Sequence, residues 1–339
     1  MEAVYVQTND AQKNEVVAYR RESGGSLTKI GSFETGGSGT GKPHLPSQSS
    51  IVLSDDGAWL LVANGGSDTI SLFAVEPDGI RLADTVPSGG GTPTSVAVHG
   101  SLVYVANNAD ANITGFDIST GKLAALAGST RMLSGEGADP AQISFSPDGK
   151  TLVVTERGSN SISAYAIDER GYADGPSTIA CPGQTPYGFD FTSDGTLIVT
   201  EAFGGAKGKA AASSYSLTEP GRLSPVSASV ADTRSEVCWA AVTKDGRFVY
   251  VTNFGDGTIS SYAIGAEGTI ELAEPVAGAT RLGEPGVRDE AISNDGRFLY
   301  ALDADTQQVH GWRIDTDGHL SEIGAADGLP STVAGLAAS

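Results

Sequence analysis

The chain has 339 residues, a formal net charge of −20 and a pI near 4.4. Such a charge repels a nucleic-acid backbone or an anionic bilayer over most of the surface, so the expected partner is a small molecule. No apolar run approaches the ~20 residues that span a membrane, and Cys181 and Cys238 have neither metal-ligand spacing nor the number expected of a disulfide framework.

The N-terminus enters a strand at once, without the basic and apolar regions of a secretory signal, and the expected location is cytoplasmic. Residues 4–8 carry the pattern of a second strand with no first strand before it. Residues 36–50, GGSGTGKPHLPSQSS, read as a mobile lid carrying His44. They lack the Walker spacing and the following helix of a phosphate loop.

From there one unit repeats. A Ser/Thr-x-Asp-Gly turn is followed by a β-branched or aromatic run, which ends at Asn64, Glu156, Glu201, Asn253 and Asp303; a sixth run ends at Asn107. Successive ends at 64, 107, 156, 201, 253 and 303 lie 43, 49, 45, 52 and 50 residues apart, the length of one four-stranded propeller blade. The fullest copy is residues 238–264, CWAAVTKDGRFVYVTNFGDGTISSYAI. Six blades are explicit. Residues 329–336 look like the missing first strand of a seventh, so the two ends of the chain are expected to share one blade. The fold expected is an all-β, seven-bladed β-propeller forming one domain over residues 1–339.

In such a ring the Asp-Gly turns fall on one face, and Asp148, Asp194, Asp245 and Asp295 are turn formers. The opposite, upper face gathers the segments leading into the inner strands, and the channel mouth there is the expected site. Pro93, Pro140 and Pro186 start inner strands, where a missing N–H costs no ladder bond, so Gln142 and Tyr187 should face the mouth. Glu156 and Glu201 replace the Asn found in sister blades such as Asn253, and neighbouring blades should bring the two carboxylates together near the axis as a general base. Arg157 and Arg288 are placed to polarise an acyl oxygen or hold a carboxylate. Trp239 reads as a wall of the mouth or a plug of the channel, Glu236 and Asp289 lie on its far side, and Cys238 reads as a packing residue. No metal and no cofactor is called for.

The repeat PxxhxhSpDGrfhYVtN…TISxYxI, at residues 140–167 and 237–264, resembles the seven-bladed propellers of the lactonase family, which includes 6-phosphogluconolactonase-like bacterial proteins and fungal carboxymuconate-cyclising enzymes. The resemblance covers essentially the whole chain. It implies a hydrolase acting on a small cyclic ester, with lactone formation or non-catalytic binding as alternatives. Members commonly carry Pro-Arg-His at the start of inner strands, where this chain has Pro140-Ala141-Gln142, Cys238-Trp239 and Arg288-Asp289.

Overall fold

The computed structural model describes residues 2–42 and 45–339. Seven antiparallel sheets follow one another around an axis. Blade two is Ile51–Leu53, Trp59–Asn64, Thr69–Glu76 and Gly79–Pro87. Blade three is Pro93–His99, Leu102–Asn107 and Asn112–Asp117, edged by two short pieces, Ala124–Ala125 and Arg131–Met132. Blades four and five begin at Pro140–Phe145 and Pro186–Phe191 and end at Ala173–Ala180 and Arg222–Ala231. Blades six and seven begin at Val237–Val242 and Val287–Ile292 and end at Ile270–Ala279 and Leu320–Ala326.

Blade one is closed by both termini: Ala334–Ala338 is its inner strand, followed by Ala3–Gln7, Glu15–Arg21 and Leu27–Glu34. The closing strand lies further along the chain than residues 329–336 suggested. Residues 329–333 form a connection in which the Val333 amide donates to the Pro330 carbonyl, and pairing starts at Ala334 opposite Gln7, with a bulge before Val6 meets Leu336. At this seam Val4, Val6, Tyr19, Phe298, Tyr300 and Leu336 share one buried cluster. Arg21, 2 % exposed in its side chain, crosses the seam to Asp295 at 3.1 Å, its guanidinium 5.1 Å above the Phe298 ring.

Three repeated devices fix the blades. In each Asp-Gly turn a hydroxyl donates to the Asp carboxylate, Ser54 to Asp56 at 2.6 Å, Ser146 to Asp148 at 2.7 Å and Ser293 to Asp295 at 2.6 Å. The Asp residues are therefore turn formers, as read from the sequence, and those bonds hold Asp56 and Asp148 below the usual carboxylate range. The second device is the tyrosine at the third position of the second strand in blades three, six and seven. Its hydroxyl donates to an outer-turn glycine of the next blade: Tyr104 to the Gly171 carbonyl, Tyr250 to Gly318 and Tyr300 to Gly25, at 2.9, 2.8 and 2.6 Å.

The third device lies on the upper face. Thr92, Asp139, Thr185 and Glu236 all sit in the left-handed region, at φ of 53°, 49°, 56° and 56°. Each turns its carbonyl to accept the amide just beyond the second strand of its own blade, at Asn108, Arg157, Ala202 and Phe254. This strained turn aims the following inner-strand residues at the axis.

Candidate functional site

The polar residue at the end of each second strand points into the joint between blades. In blade two, Asn64 accepts from Asn14 Nδ2 and Thr35 Oγ1, both at 2.8 Å, and donates to Ser71 Oγ at 2.8 Å. Asn253 donates to Ser260 Oγ at 2.8 Å and Thr258 Oγ1 at 3.3 Å. Glu156 occupies the same place, fully buried, and accepts from Ser163 at 2.6 Å, Ser159 at 2.8 Å, the Ser134 amide at 3.2 Å and the Ser134 hydroxyl. Glu201 accepts from the Gly183 amide at 3.1 Å, the Cys181 thiol at 3.2 Å and the Ser213 hydroxyl. The expected convergence of the two carboxylates on the axis is thus corrected: each is enclosed in its own blade and the segment leading into it. A hydroxyl seven residues on, Ser71, Ser163 and Ser260, supplies the partner in three blades, and Asn253 belongs to the same frame.

The penultimate threonines hold the inner strands. Thr155 Oγ1 donates to the Tyr187 carbonyl at 2.5 Å, Thr200 Oγ1 to the Cys238 carbonyl at 2.7 Å, and Thr252 Oγ1 accepts the Trp239 amide at 3.2 Å. These bonds anchor bulges between Pro186 and Phe189 and between Val237 and Ala240. The bulges present Tyr187 and Trp239 to the axis, where their rings stack with centroids 4.9 Å apart.

Several residues from the sequence reading meet around this stack. Arg157 of blade four lies over the Tyr187 ring at 5.0 Å, donates to its hydroxyl at 3.3 Å and pairs with Asp139 at 2.5 Å. Arg288 of blade seven lies 4.1 Å over the Phe254 ring, and its charge reaches the Tyr187 phenol. Asp289 accepts from the Trp239 indole N–H at 2.6 Å, and burial pushes its carboxyl up to about 6. Glu236 is partly exposed, and its side chain lies against Gly205 of blade five. Cys238 is buried and its thiol is pushed up to about 12, so it supplies no thiolate near neutral pH. His44 lies outside the described residues.

Gln142 does not face the mouth freely. Its Oε1 accepts the Phe189 amide at 2.6 Å, filling the bulge of blade five. Gln48, which the sequence reading did not single out, straps the channel. Its side-chain amide donates to the Ala240 carbonyl at 2.9 Å and accepts the Ala240 amide at 3.1 Å, while its own amide donates to the Ala141 carbonyl at 3.0 Å. Only glycine fits at position 188, where a Cβ would stand 2.2 Å from Gln48 Oε1 and 2.7 Å from the Cys238 carbonyl.

Below the Tyr187–Trp239 stack the axis opens into a cavity of about 270 Å³ that reaches the turn face. Its walls include Trp239, Asp190, Asp289 and Glu290, with Lys244 and Asn294 from the turns of blades six and seven. Asp190 accepts the Val242 amide at 2.8 Å, and burial raises its carboxyl above the usual range. Asp190 and Lys244 were not among the expected site residues. A legible signal existed: Asp190 stands on an inner strand where sister blades have Ala241 and Ala291.

Among the described residues no group of three or more His, Cys, Asp or Glu side chains is placed to hold a metal ion, and no helix is long and apolar enough to cross a membrane. The family described as "Lactonase, 7-bladed beta-propeller" matches residues 2–135, 129–202 and 209–335. Curated proteins give no match. Among solved structures, a provisionally assigned 6-phosphogluconolactonase from Bacteroides fragilis superposes with a TM-score of 0.76 at 18% identity, covering 100% of this chain and 98% of its own. A Lactobacillus plantarum protein gives 0.77 at 19% identity, with 100% of each chain covered. A periplasmic gluconolactonase of Pseudomonas aeruginosa gives 0.75 at 17% identity, covering 99% of this chain and 98% of its own. At these identities the likeness is one of fold.

Proposed function

Because the chain belongs to the seven-bladed β-propeller lactonase family, we propose that it hydrolyses a small lactone carrying an acidic group, bound over the Tyr187–Trp239 stack at the upper mouth. The observation that carries this reading is that Arg157 and Arg288, from blades four and seven, flank one phenol above the plugged channel. A guanidinium offers paired donors to a carboxylate or phosphate and to the oxyanion that forms when water attacks the acyl carbon. Trp239 is fully buried, so the floor offered to the apolar face of the ring is Tyr187, backed by Trp239.

With Glu156 and Glu201 bound into the blades, the base passes to Glu236, a partly exposed carboxylate at the rim whose charge, like that of Arg288, reaches Cys238. Glu236 takes a proton from water as the hydroxyl adds to the acyl carbon. The ring C–O bond then breaks, and the proton passes to the departing alkoxide oxygen, leaving a hydroxy acid. Ring closure would use the same groups in reverse. The plug supports the non-catalytic alternative, a mouth that binds an anionic ring compound without turning it over. The location proposed with this reading is the cytoplasm, where the buried, free Cys181 and Cys238 stay reduced.

A screen of sugar lactones and aromatic-pathway lactones, read by acid release, tests the activity. Arg288→Met should lower kcat/KM on the best substrate by roughly a hundredfold, and Glu236→Gln by a similar factor mainly in kcat. Binding of a lactone without acid release would favour the binding reading, and full activity in both variants would move the site elsewhere.

A further inference from the structure

One residue binds Arg157 twice. The Arg157 amide donates to the Asp139 carbonyl at 3.1 Å, and its Nη2 donates to the Asp139 carboxylate at 2.5 Å. Asn108 of blade three donates its side-chain amide to the same carboxylate oxygen at 2.8 Å. On its other side the guanidinium donates to the Tyr187 hydroxyl and lies 5.0 Å from the centre of that ring, with only 14 % of the side chain exposed. The turn itself does not ask for an acid. Thr92 and Thr185 hold the same left-handed position in blades three and five and make the same carbonyl bond. The carboxylate of Asp139 is therefore an addition of blade four, and it is spent on Arg157.

We propose that Asp139 is the positioning residue of the upper mouth: it clamps the Arg157 guanidinium against Tyr187 and cancels its charge. Arg157 then serves a bound lactone as a fixed hydrogen-bond donor, and Arg288, which lies over the Phe254 ring, is the cation that meets the acidic group. Each terminal nitrogen of a guanidinium carries two N–H groups. Asp139 and Tyr187 use one on each, which leaves one on each for a ligand oxygen. With one of the two charges cancelled, the mouth suits an acid of single negative charge, a carboxylate, better than a phosphate with two. The inference rests on the lactone reading for the ligand, but not for the contact between Asp139 and Arg157.

Two substitutions separate the clamp from the charge. Asp139→Asn keeps the oxygen that accepts both bonds and a residue that tolerates the left-handed region, and it removes the charge. Asp139→Gly keeps the turn and removes the clamp. The substrates are γ-carboxy-γ-butyrolactone and isocitric lactone, the same ring with one and with two carboxylates, with acid release followed at low ionic strength. Asp139→Asn should lower KM for both, by a few-fold for the first and roughly tenfold for the second, and the gain should shrink in high salt. Asp139→Gly should lower kcat by roughly tenfold on both. Asp139→Glu should restore most of that loss, since Glu236 shows that a glutamate takes this backbone position.

Because Asp139 acts through the arginine, Asp139→Gly in an Arg157→Met background should cost nothing further in kcat. A KM that rises on both lactones in Asp139→Asn, as general damage to the mouth would cause, overturns the proposal. So does a loss of kcat in Asp139→Gly that persists without Arg157. Should the parent turn over neither these nor any other lactone of the screen, the lactone reading fails, and scanning calorimetry decides the contact alone. Asp139→Gly and Arg157→Met should each lower the melting temperature by roughly 1–2 °C, and the double variant by no more than the larger of the two. Additive losses would overturn the proposal on that readout.

Discussion

Glu156 and Glu290 are both glutamates, both buried and both at the end or bend of a blade strand, yet they do opposite things. Glu156 is enclosed by hydroxyls and an amide from Ser134, Ser159 and Ser163, whereas the buried oxygens of Glu290 meet no side-chain donor and only the Thr252 backbone amide acts on them. The first belongs to the frame between blades and the second to the axis inside them. The difference teaches that a carboxylate replacing Asn in a repeat does not mark a site. What a carboxylate does is read from the partners that the fold brings to it.

The severest way to break the comparison is to remove the frame. Deleting residues 334–339 takes away the inner strand of blade one and the partner of Ala3–Gln7, exposing an edge and the cluster of Val4, Val6 and Phe298. The chain should aggregate or lose its cooperative transition, read by circular dichroism and size-exclusion chromatography. A truncated chain that melted with the parent would show that the terminal strand closes nothing.

Within the intact frame, Glu156→Ala should be the costliest single change. It strands the hydroxyls of Ser134, Ser159 and Ser163 and leaves a cavity, a loss of about 3 kcal/mol. Glu156→Gln keeps the shape but sets an amide donor against those hydroxyls, at about 1 kcal/mol. Turnover by whatever fraction remains folded should stay within a few-fold of the parent in both. A hundredfold loss of turnover in folded Glu156→Gln would return this residue to the site.

The same change on the axis should have the opposite sign. Glu290→Gln removes a fully buried carboxyl and its repulsion with Asp190 and Asp289, so the melting temperature should rise by roughly 2–4 °C. A fall of that size would mean that the carboxyl has a stabilising partner and that frame and axis are alike.

The frame was legible in the sequence because it repeats. The Ser/Thr-x-Asp-Gly turn, the VYV strand and the second-strand end recur at blade spacing, and each recurrence has one local physical cause. The position of the closing strand was less legible. Residues 329–336 contain apolar positions without a turn motif to set their register, and pairing across 330 residues of chain decides it. The axis was legible only in part. That Tyr187, Trp239, Arg157 and Arg288 share one end of the axis follows from their place at the start of inner strands or after the second, which the propeller geometry turns toward the mouth. Whether a carboxylate is satisfied depends on partners scattered over the chain, such as Ser134 for Glu156, and no local pattern carries that. Gln48 carries no local signal for the same reason, since its partner Ala240 lies 192 residues away.

The smallest effect, and the one that reads frame and axis together, is the dependence of stability on pH. Burial raises Asp289 and Asp232 from an ordinary 3.8 to about 6 in the folded chain. A raised acid holds its proton in the folded state where the unfolded chain has lost it, so its stabilising share is complete below pH ~4 and disappears as pH rises through ~6. Between pH ~7 and ~5 each of the two should add about 1 kcal/mol on acidification. The turn residues Asp56, Asp148 and Asp295 are held below the ordinary range, so their share is present above pH ~4 and is lost as pH falls through their lowered values. The melting temperature should therefore climb by several degrees from pH ~7 to a maximum near pH ~4 and drop steeply below it. Asp289→Asn should remove a part of the climb, about 1 kcal/mol between pH ~7 and ~5, and leave the acid-side drop in place. A scanning-fluorimetry profile that is flat between pH 7 and 5, with the drop unchanged, would leave the frame standing and take away the buried charge assigned to the axis.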